Sequence, residues 1–491
     1  MVCREVPSMR VCLINPPRIQ PKAWGKPNVF PPIAMASVAA VLEKKGHKVT
    51  IIDSPTEGWE NLEELDATKF RVGLSAQVIA GRIREFGPEV VAVEIPFSGW
   101  SKTAFEVVST AKEVNPDVTV VVFGLHPSSR PEACLTDSQA DFAVIGEPEI
   151  TIAELVTALQ NHNTNTHDIA GLAFKENGKP NLTTKREFIA DLDTLPMPAR
   201  HLLPMKVYAE AVKQNPLRGE ITKPYTIIIT SRGCPFSCVF CTHSIVWGKQ
   251  WRHRSPKNVV DEIEHVIKTY GIKQIDFADD NMTWSRERMA QICDLIVQRG
   301  LRFEWFTPNG VRADTLDEQL LAKMKRAGCK KIRLAPESGV QRVVTNIAKK
   351  NLDLKKVEDA IVAARKVGIK VGCFFVMGLI GETKADIEET IRYAYKLKKL
   401  GAESFVFSIA MPLYGTEFFE QAKAGGYIHS GFCDYALAAT EPLVETPEFT
   451  AAEIAELCMK ANAINRTLTR KKVLKAMRHP VKTAKLLLKL K

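Results

Sequence analysis

Two successions of short, uninterrupted apolar runs constrain this chain most. In the first, RVCLIN (10–15), KVTIID (48–53), VVAVEI (90–95), VTVVVFG (118–124) and FAVIG (142–146) lack the strict alternation of a half-exposed strand. Strands of this kind must be covered on both faces, which parallel sheets flanked by helices achieve. Helical spacing fills the gaps, as in AMASVAAVLEKKG, whose helix stops at Gly46. The pattern predicts an α/β fold that begins with a doubly wound, Rossmann-like domain of about five strands over residues 1–160.

The second succession is TIIIT (226–230), QIDFA (274–278), RFEWFT (302–307), KIRLA (331–335), KVGCFFVM (370–377) and SFVFSIA (404–410). Each gap holds one or two helical segments. In NVVDEIEHVIKTYG, Val259, Ile263 and Val266 recur at helical spacing before Gly271. Six βα units predict an open (β/α)6 partial TIM barrel over 222–430. Between the two successions QNHNTNTH is polar and prolines stand at 196, 198 and 204, so 161–221 reads as a linker. The remainder, 431–491, reads as a helical region with a basic amphipathic tail.

A chain of 491 residues with 45% hydrophobic content can bury two or three cores. It has no run of 18 apolar residues, and MVCREVPSMRVCLINPP lacks a signal-peptide layout, so a cytoplasmic location is expected. Of the net charge of +11, the stretch Arg466–Lys491 carries +10, with ten Lys/Arg and no Asp or Glu. This tail interleaves Leu, Val and Met with its basic residues, which predicts peripheral association with an anionic membrane surface. A solvated helix and a dock for an acidic partner are the alternatives. The tail lacks interleaved aromatics, so no specific nucleic acid is expected.

The eleven cysteines are scattered apart from one triplet, which favours thiols and metal ligation over disulfides. The triplet is RGCPFSCVFC, with Cys234, Cys238 and Cys241 in the loop after the first barrel strand. Active sites of parallel barrels gather at that end. Three thiolates on one loop can hold three corners of a [4Fe–4S] cluster and leave the fourth iron free. Structural zinc, with His243 as fourth ligand, is the other reading.

With Phe240 before its last cysteine, the triplet resembles that of the radical S-adenosylmethionine (SAM) enzymes. The resemblance recurs at later strand ends. In FADDN (277–281) it implies that Asp279, Asp280 and Asn281 meet the amine of SAM. In APESG (335–339) it implies that Glu337 and Ser338 face the ribose. FVMGLIGET (375–383), with Gly378 and Gly381, resembles the family's Gly-rich loop, and MPLYGT (411–416), with Pro412, its segment near the adenine. Ile380 stands where related chains often carry proline. The resemblance implies that SAM chelates the free iron. One electron from a low-potential donor such as ferredoxin or flavodoxin then releases a 5′-deoxyadenosyl radical.

The strand ends of the first domain carry NPPRI (15–19), PFSGW (96–100), GLHPSSRPE (124–132) and GEPE (146–149). No Gly-x-Gly-x-x-Gly is present, which argues against a nicotinamide or flavin site of that type. Beside the barrel, these loops resemble the cobalamin-binding domain of class B radical SAM enzymes. The resemblance implies cofactor contacts at Asn15, Pro16, Ser98, Gly99, Gly124, His126, Pro127, Gly146 and Glu147. The Asp-x-His-x-x-Gly loop of methionine-synthase-type domains is absent, so His126 is not read as an axial ligand, and Phe123 replaces the first glycine of a Gly-Gly pair. A domain that holds another ligand, or none, is the alternative.

Together the resemblances imply a [4Fe–4S] cluster, SAM and cobalamin. They also imply methyl transfer from methylcobalamin to an unactivated carbon of a small-molecule, lipid or peptide substrate. A cyclase or carbon–carbon coupling enzyme on a lipid or tetrapyrrole-like substrate is the alternative.

Overall fold

The computed structural model describes residues 8–25, 27, 29–162, 165–213, 221–438 and 441–466. The basic tail, from 467 onward, lies outside them. All five expected strands of the first succession form. Arg10–Asn15 pairs in parallel with Lys48–Asp53 on one side and with Val90–Glu94 on the other. Thr119–Phe123 and Phe142–Val144 follow outward from Val90–Glu94, also in parallel. The chain therefore reverses its winding between Arg10–Asn15 and Val90–Glu94, and ligands of such sheets bind beyond the strand ends at that point.

The expected linker is partly sheet. Leu172–Glu176 and Lys179–Leu182 form a hairpin that extends the first sheet in antiparallel pairing, giving seven strands. Lys175, Glu176 and Lys179 are exposed, so the polarity that reads as a loop belongs to a charged, solvated edge. A separate antiparallel sheet of Arg18–Pro21, Lys69–Val72 and Leu62–Glu64 likewise has no counterpart among the expected strands.

The second succession gives six parallel strands in chain order: Tyr225–Ile228, Gln274–Phe277, Glu304–Phe306, Cys329–Glu337, Lys370–Met377 and Ser404–Ile409. Helix Pro256–Tyr270 shows why the connecting segments fold as they do. Ser255 Oγ accepts the Asn258 amide at 3.2 Å to cap its start, and Gly271 at φ 64° closes its end. Its buried face carries Val259, Val260, Ile263 and Val266, each contributing roughly 1.5–3 kcal/mol on burial.

The barrel does not close on itself, so the last strand has an unpaired edge. Two asparagines cover it. Asn462 pairs with Phe407 through its carboxamide oxygen (3.2 Å) and nitrogen (3.0 Å), and Asn465 does the same with Phe405 (3.0 and 2.7 Å). The end of helix Ala451–Asn462 and the turn Ala463–Arg466 after it thus imitate a seventh strand with side chains. Among the described residues no helix is long and apolar enough to cross a membrane.

Candidate functional site

A cavity of about 630 Å3 opens where the barrel strands end. The loop after the first barrel strand turns sharply into it at Gly233 (φ 81°), where a Cβ would stand 2.3 Å from the carbonyl oxygen of Gln250. Cys234, Cys238 and Cys241 all line the cavity, and none is in a disulfide. Phe240, Asp280, Asn281 and Glu337 line it as well. Seven of the residues proposed for the cluster and SAM thus meet in one space. The other barrel residues proposed stand behind the wall. Asp279 accepts from Thr230 and Ser231, Ser338 bonds Thr390, and Pro412 is buried. Gly378 and Gly381 turn the chain at φ 84°, where the buried Glu382 accepts the Gly378 amide at 2.7 Å.

The side chains fit the groups that the motifs imply. Three free thiols face one cavity beside Phe236, Phe240 and Trp247, and among the described residues no three His, Cys, Asp or Glu converge on a single ion. A cluster presents separate corners to its thiolates, whereas zinc needs its ligands around one point. His243, the possible fourth zinc ligand, is engaged through both ring nitrogens: Nδ1 lies 3.0 Å from Cys241 Sγ and Nε2 3.2 Å from the Cys234 carbonyl. Asn281 is buried: its Nδ2 lies 4.0 Å from Cys234 Sγ, and its Oδ1 has no hydrogen-bond partner. Burial lifts Asp280 to about 6, with His243 pulling it down and Asp279 pushing it up.

Two cations that sequence reasoning missed also line the cavity. Lys350 donates to Glu337 at 2.6 Å. Burial alone would lower the lysine, but the adjacent carboxylate more than offsets this and raises it. Arg312 lies 3.6 Å from the Phe236 ring centre and is anchored bidentately by Asp314. Neither residue belongs to a periodic or motif pattern, so only the fold reveals them. Glu337 itself sits at φ 66°, a left-handed conformation costly for a residue with a side chain.

The first domain reaches the cavity through Pro96, which follows the strand Val90–Glu94 at its switch point, and Leu125, which follows the neighbouring strand Thr119–Phe123. The residues proposed for cobalamin do not line this cavity. Asn15 donates to Asp53 at 2.7 Å inside the domain, and Pro16 is buried beside it. Gly124, at φ 113°, packs on the Ile95 carbonyl, and Pro127 is buried in the short helix Leu125–Ser129. His126 Nδ1 bonds Ser98 Oγ at 2.9 Å, its Nε2 lies 3.7 Å from Asp434, and burial holds the ring neutral by driving it to about 4. Gly99 packs on the backbone of Ala438, 2.7 Å from where its Cβ would be. Asp434 gathers donors from distant parts of the chain: Ser101 at 2.9 Å, Arg130 at 3.3 Å and Tyr414 at 2.7 Å. Where it reaches the cavity, this edge offers a corrin the apolar side chains of Pro96 and Leu125, which fits a cobalamin held by packing.

Glu147 takes a different partner from the one expected. It stands just before helix Pro148–Gln160, where its side chain makes no capping bond and points instead to the barrel. One carboxylate oxygen accepts from Arg232 and Arg252, each at 2.9 Å, and the other from Arg252 at 3.0 Å and the Ile189 amide at 2.7 Å. Glu149 accepts from Arg232 at 2.5 Å. All four side chains are at most 8% exposed. A buried carboxylate is far more stable beside two guanidiniums than against an apolar ring. Gly146 sits in the same seam, nearest the Val246 carbonyl.

Comparison with known proteins agrees with this layout. Residues 228–394 match the radical SAM superfamily and residues 27–156 the B12 binding domain. An uncharacterized methyltransferase of Pyrococcus horikoshii is 32% identical, covering 92% of this chain and 91% of that one. The cytidylyl-2-hydroxyethylphosphonate methyltransferase of Streptomyces wedmorensis is 30% identical, over 88% and 85%. Among solved structures, the radical SAM methyltransferase TsrM from Kitasatospora setae, with cobalamin and a [4Fe–4S] cluster bound, shares the fold. Its TM-score is 0.66 at 18% identity, covering 87% of this chain and 77% of that one.

Proposed function

We propose that this chain, which belongs to the B12-binding radical SAM enzymes, methylates an unactivated carbon of a small molecule. Its cofactors are a [4Fe–4S] cluster, SAM and cobalamin. When bound, they supply a methyl group and a radical able to take hydrogen from such a carbon.

The remaining work falls to the protein. Cys234, Cys238 and Cys241 would hold the cluster. Asp280 and the side-chain amide of Asn281 would meet the amine of SAM. Glu337, steadied by Lys350, would accept from ribose hydroxyls. Phe236, Trp247, Phe374 and Phe375 wall the cavity with rings and keep water from the reacting atoms. The same rings would pack against the acceptor, and holding reactants in a reactive geometry lowers the barrier.

One observation carries the reading: the cysteine loop and two strand-end loops of the first domain, at Pro96 and Leu125, face the same cavity of about 630 Å3. That volume is within the range of small-molecule sites, roughly 300–1,000 Å3. Anaerobic reconstitution with iron, sulfide and cobalamin tests it against candidate acceptors. S-adenosylhomocysteine and 5′-deoxyadenosine should accumulate one for one with a product heavier by one methyl. Cys238→Ala should form no deoxyadenosine. Deoxyadenosine formed with a product of unchanged carbon count would mean cyclisation and overturn the proposal.

A further inference from the structure

We propose that Glu147, Glu149, Arg232 and Arg252 form a positioning clasp through which the B12-binding domain sets the cysteine loop. Arg232 lies two residues before Cys234, and Gly233 between them cannot take up slack, because its backbone is pressed on Gln250. Arg232 is fixed from every side. Its backbone pairs with Arg252 in a two-stranded ribbon, its guanidinium stacks 4.6 Å from the Trp247 ring, and its N–H groups end on Glu147 and Glu149. Trp247 lines the cavity.

A continuous route joins this clasp to the other side of the cavity. Leu125, in the cavity wall, begins the short helix that carries Ser128. Ser128 Oγ donates to the Gly124 carbonyl at 2.7 Å and accepts the Gly146 amide at 3.0 Å. Gly146 precedes Glu147. A ligand pressing on Leu125 therefore acts on a loop whose next residue grips the root of the cysteine loop. Glu149 Oε2 and Arg252 Nε are buried without partners. The clasp is thus short of ideal pairing, and a small shift can exchange one set of contacts for another.

The clasp rests on the two cofactor sites, whichever reaction they serve, so its test needs no substrate and its failure would leave methyl transfer standing. Cobalamin is titrated into cluster-loaded, reduced protein while the electron paramagnetic resonance of the cluster is followed. In the parent the signal should shift as cobalamin binds. In Glu147→Gln/Glu149→Gln, with iron and cobalamin still bound at parental stoichiometry, it should cease to respond. Hydrogen exchange of amides 233–241 should rise about tenfold, the scale on which one charged hydrogen bond acts, while 370–377 stays unchanged. Arg252→Lys keeps the charge and loses the fork. It should show the same loss in milder form, and it serves if the double variant does not fold. An unresponsive cluster in the parent, or an undiminished response in the variants, would overturn the clasp.

Discussion

Replacing Glu262 by leucine should destabilise the protein more than its position, remote from the cavity, suggests. Glu262 is 1% exposed, on helix Pro256–Tyr270. Arg200 reaches it at 2.6 Å, off the N–H axis and so as an ion pair without hydrogen-bond alignment, and Arg254 supplies a hydrogen bond. Burial pushes this carboxyl up, but Arg254 and Arg200 together pull it below its ordinary value. Removing it leaves the buried guanidinium of Arg200 and the part-buried one of Arg254 without their carboxylate, at a cost of about 3–5 kcal/mol. In a folding unit of the barrel's size each kcal/mol moves Tm by roughly 2–4 °C, so the expected fall is about 6–20 °C. Thermal unfolding of the anaerobic protein followed by circular dichroism measures it. Glu262→Gln, which keeps the shape but turns an NH2 toward one guanidinium, should recover less than half of the loss. A fall for Glu262→Leu of under about 3 °C would refute the idea that this triad pins the segment around Arg200 to the barrel.

Gly233→Ala should cut bound iron below half of parental, because its Cβ meets the Gln250 backbone oxygen in a left-handed turn. Gly46→Ala, at φ 87° with nothing within 4 Å, controls for backbone strain alone and should leave iron unchanged. Glu94 titrates oppositely to a salt-bridged acid. Burial raises it to about 7, with Arg18 pulling it down and Asp53 pushing it up. Its folded value exceeds an unfolded value near 4.3, so its contribution is greatest below about pH 4.3 and is lost as pH rises through 7. Denaturant titrations at pH 5 and pH 8 should show the parent losing up to about 3 kcal/mol more than Glu94→Gln between them. An equal loss in both would refute it.

The strands were legible because burial on both faces demands continuous apolar runs. KVTIID and KVGCFFVM match strands Lys48–Asp53 and Lys370–Met377 to the residue. The hairpin at 172–182 was not legible, since an edge strand has one wet face and carries the composition of a loop. The cysteine loop and Asp280, Asn281 and Glu337 could be read because local spacing and strand-end position bring them together. Lys350 and Arg312 could not, because their place in the cavity depends on how separate βα units converge. Glu147 is instructive in another way. Its loop was singled out for a ligand, but what it meets is two arginines some hundred positions on, a pairing no local pattern announces.

Asp434 binds Ser101 across 333 residues of chain. At roughly 5–20 residues per second of synthesis, the first domain emerges tens of seconds before the segment that seals its edge. During that interval a nascent chain presents Ser98, Gly99 and His126 uncovered, whereas the finished protein keeps them beneath its own C-terminal strap. The edge is thus closed by a segment made long after it, and closing it needs Ser101, Arg130 and Tyr414 all in place for Asp434.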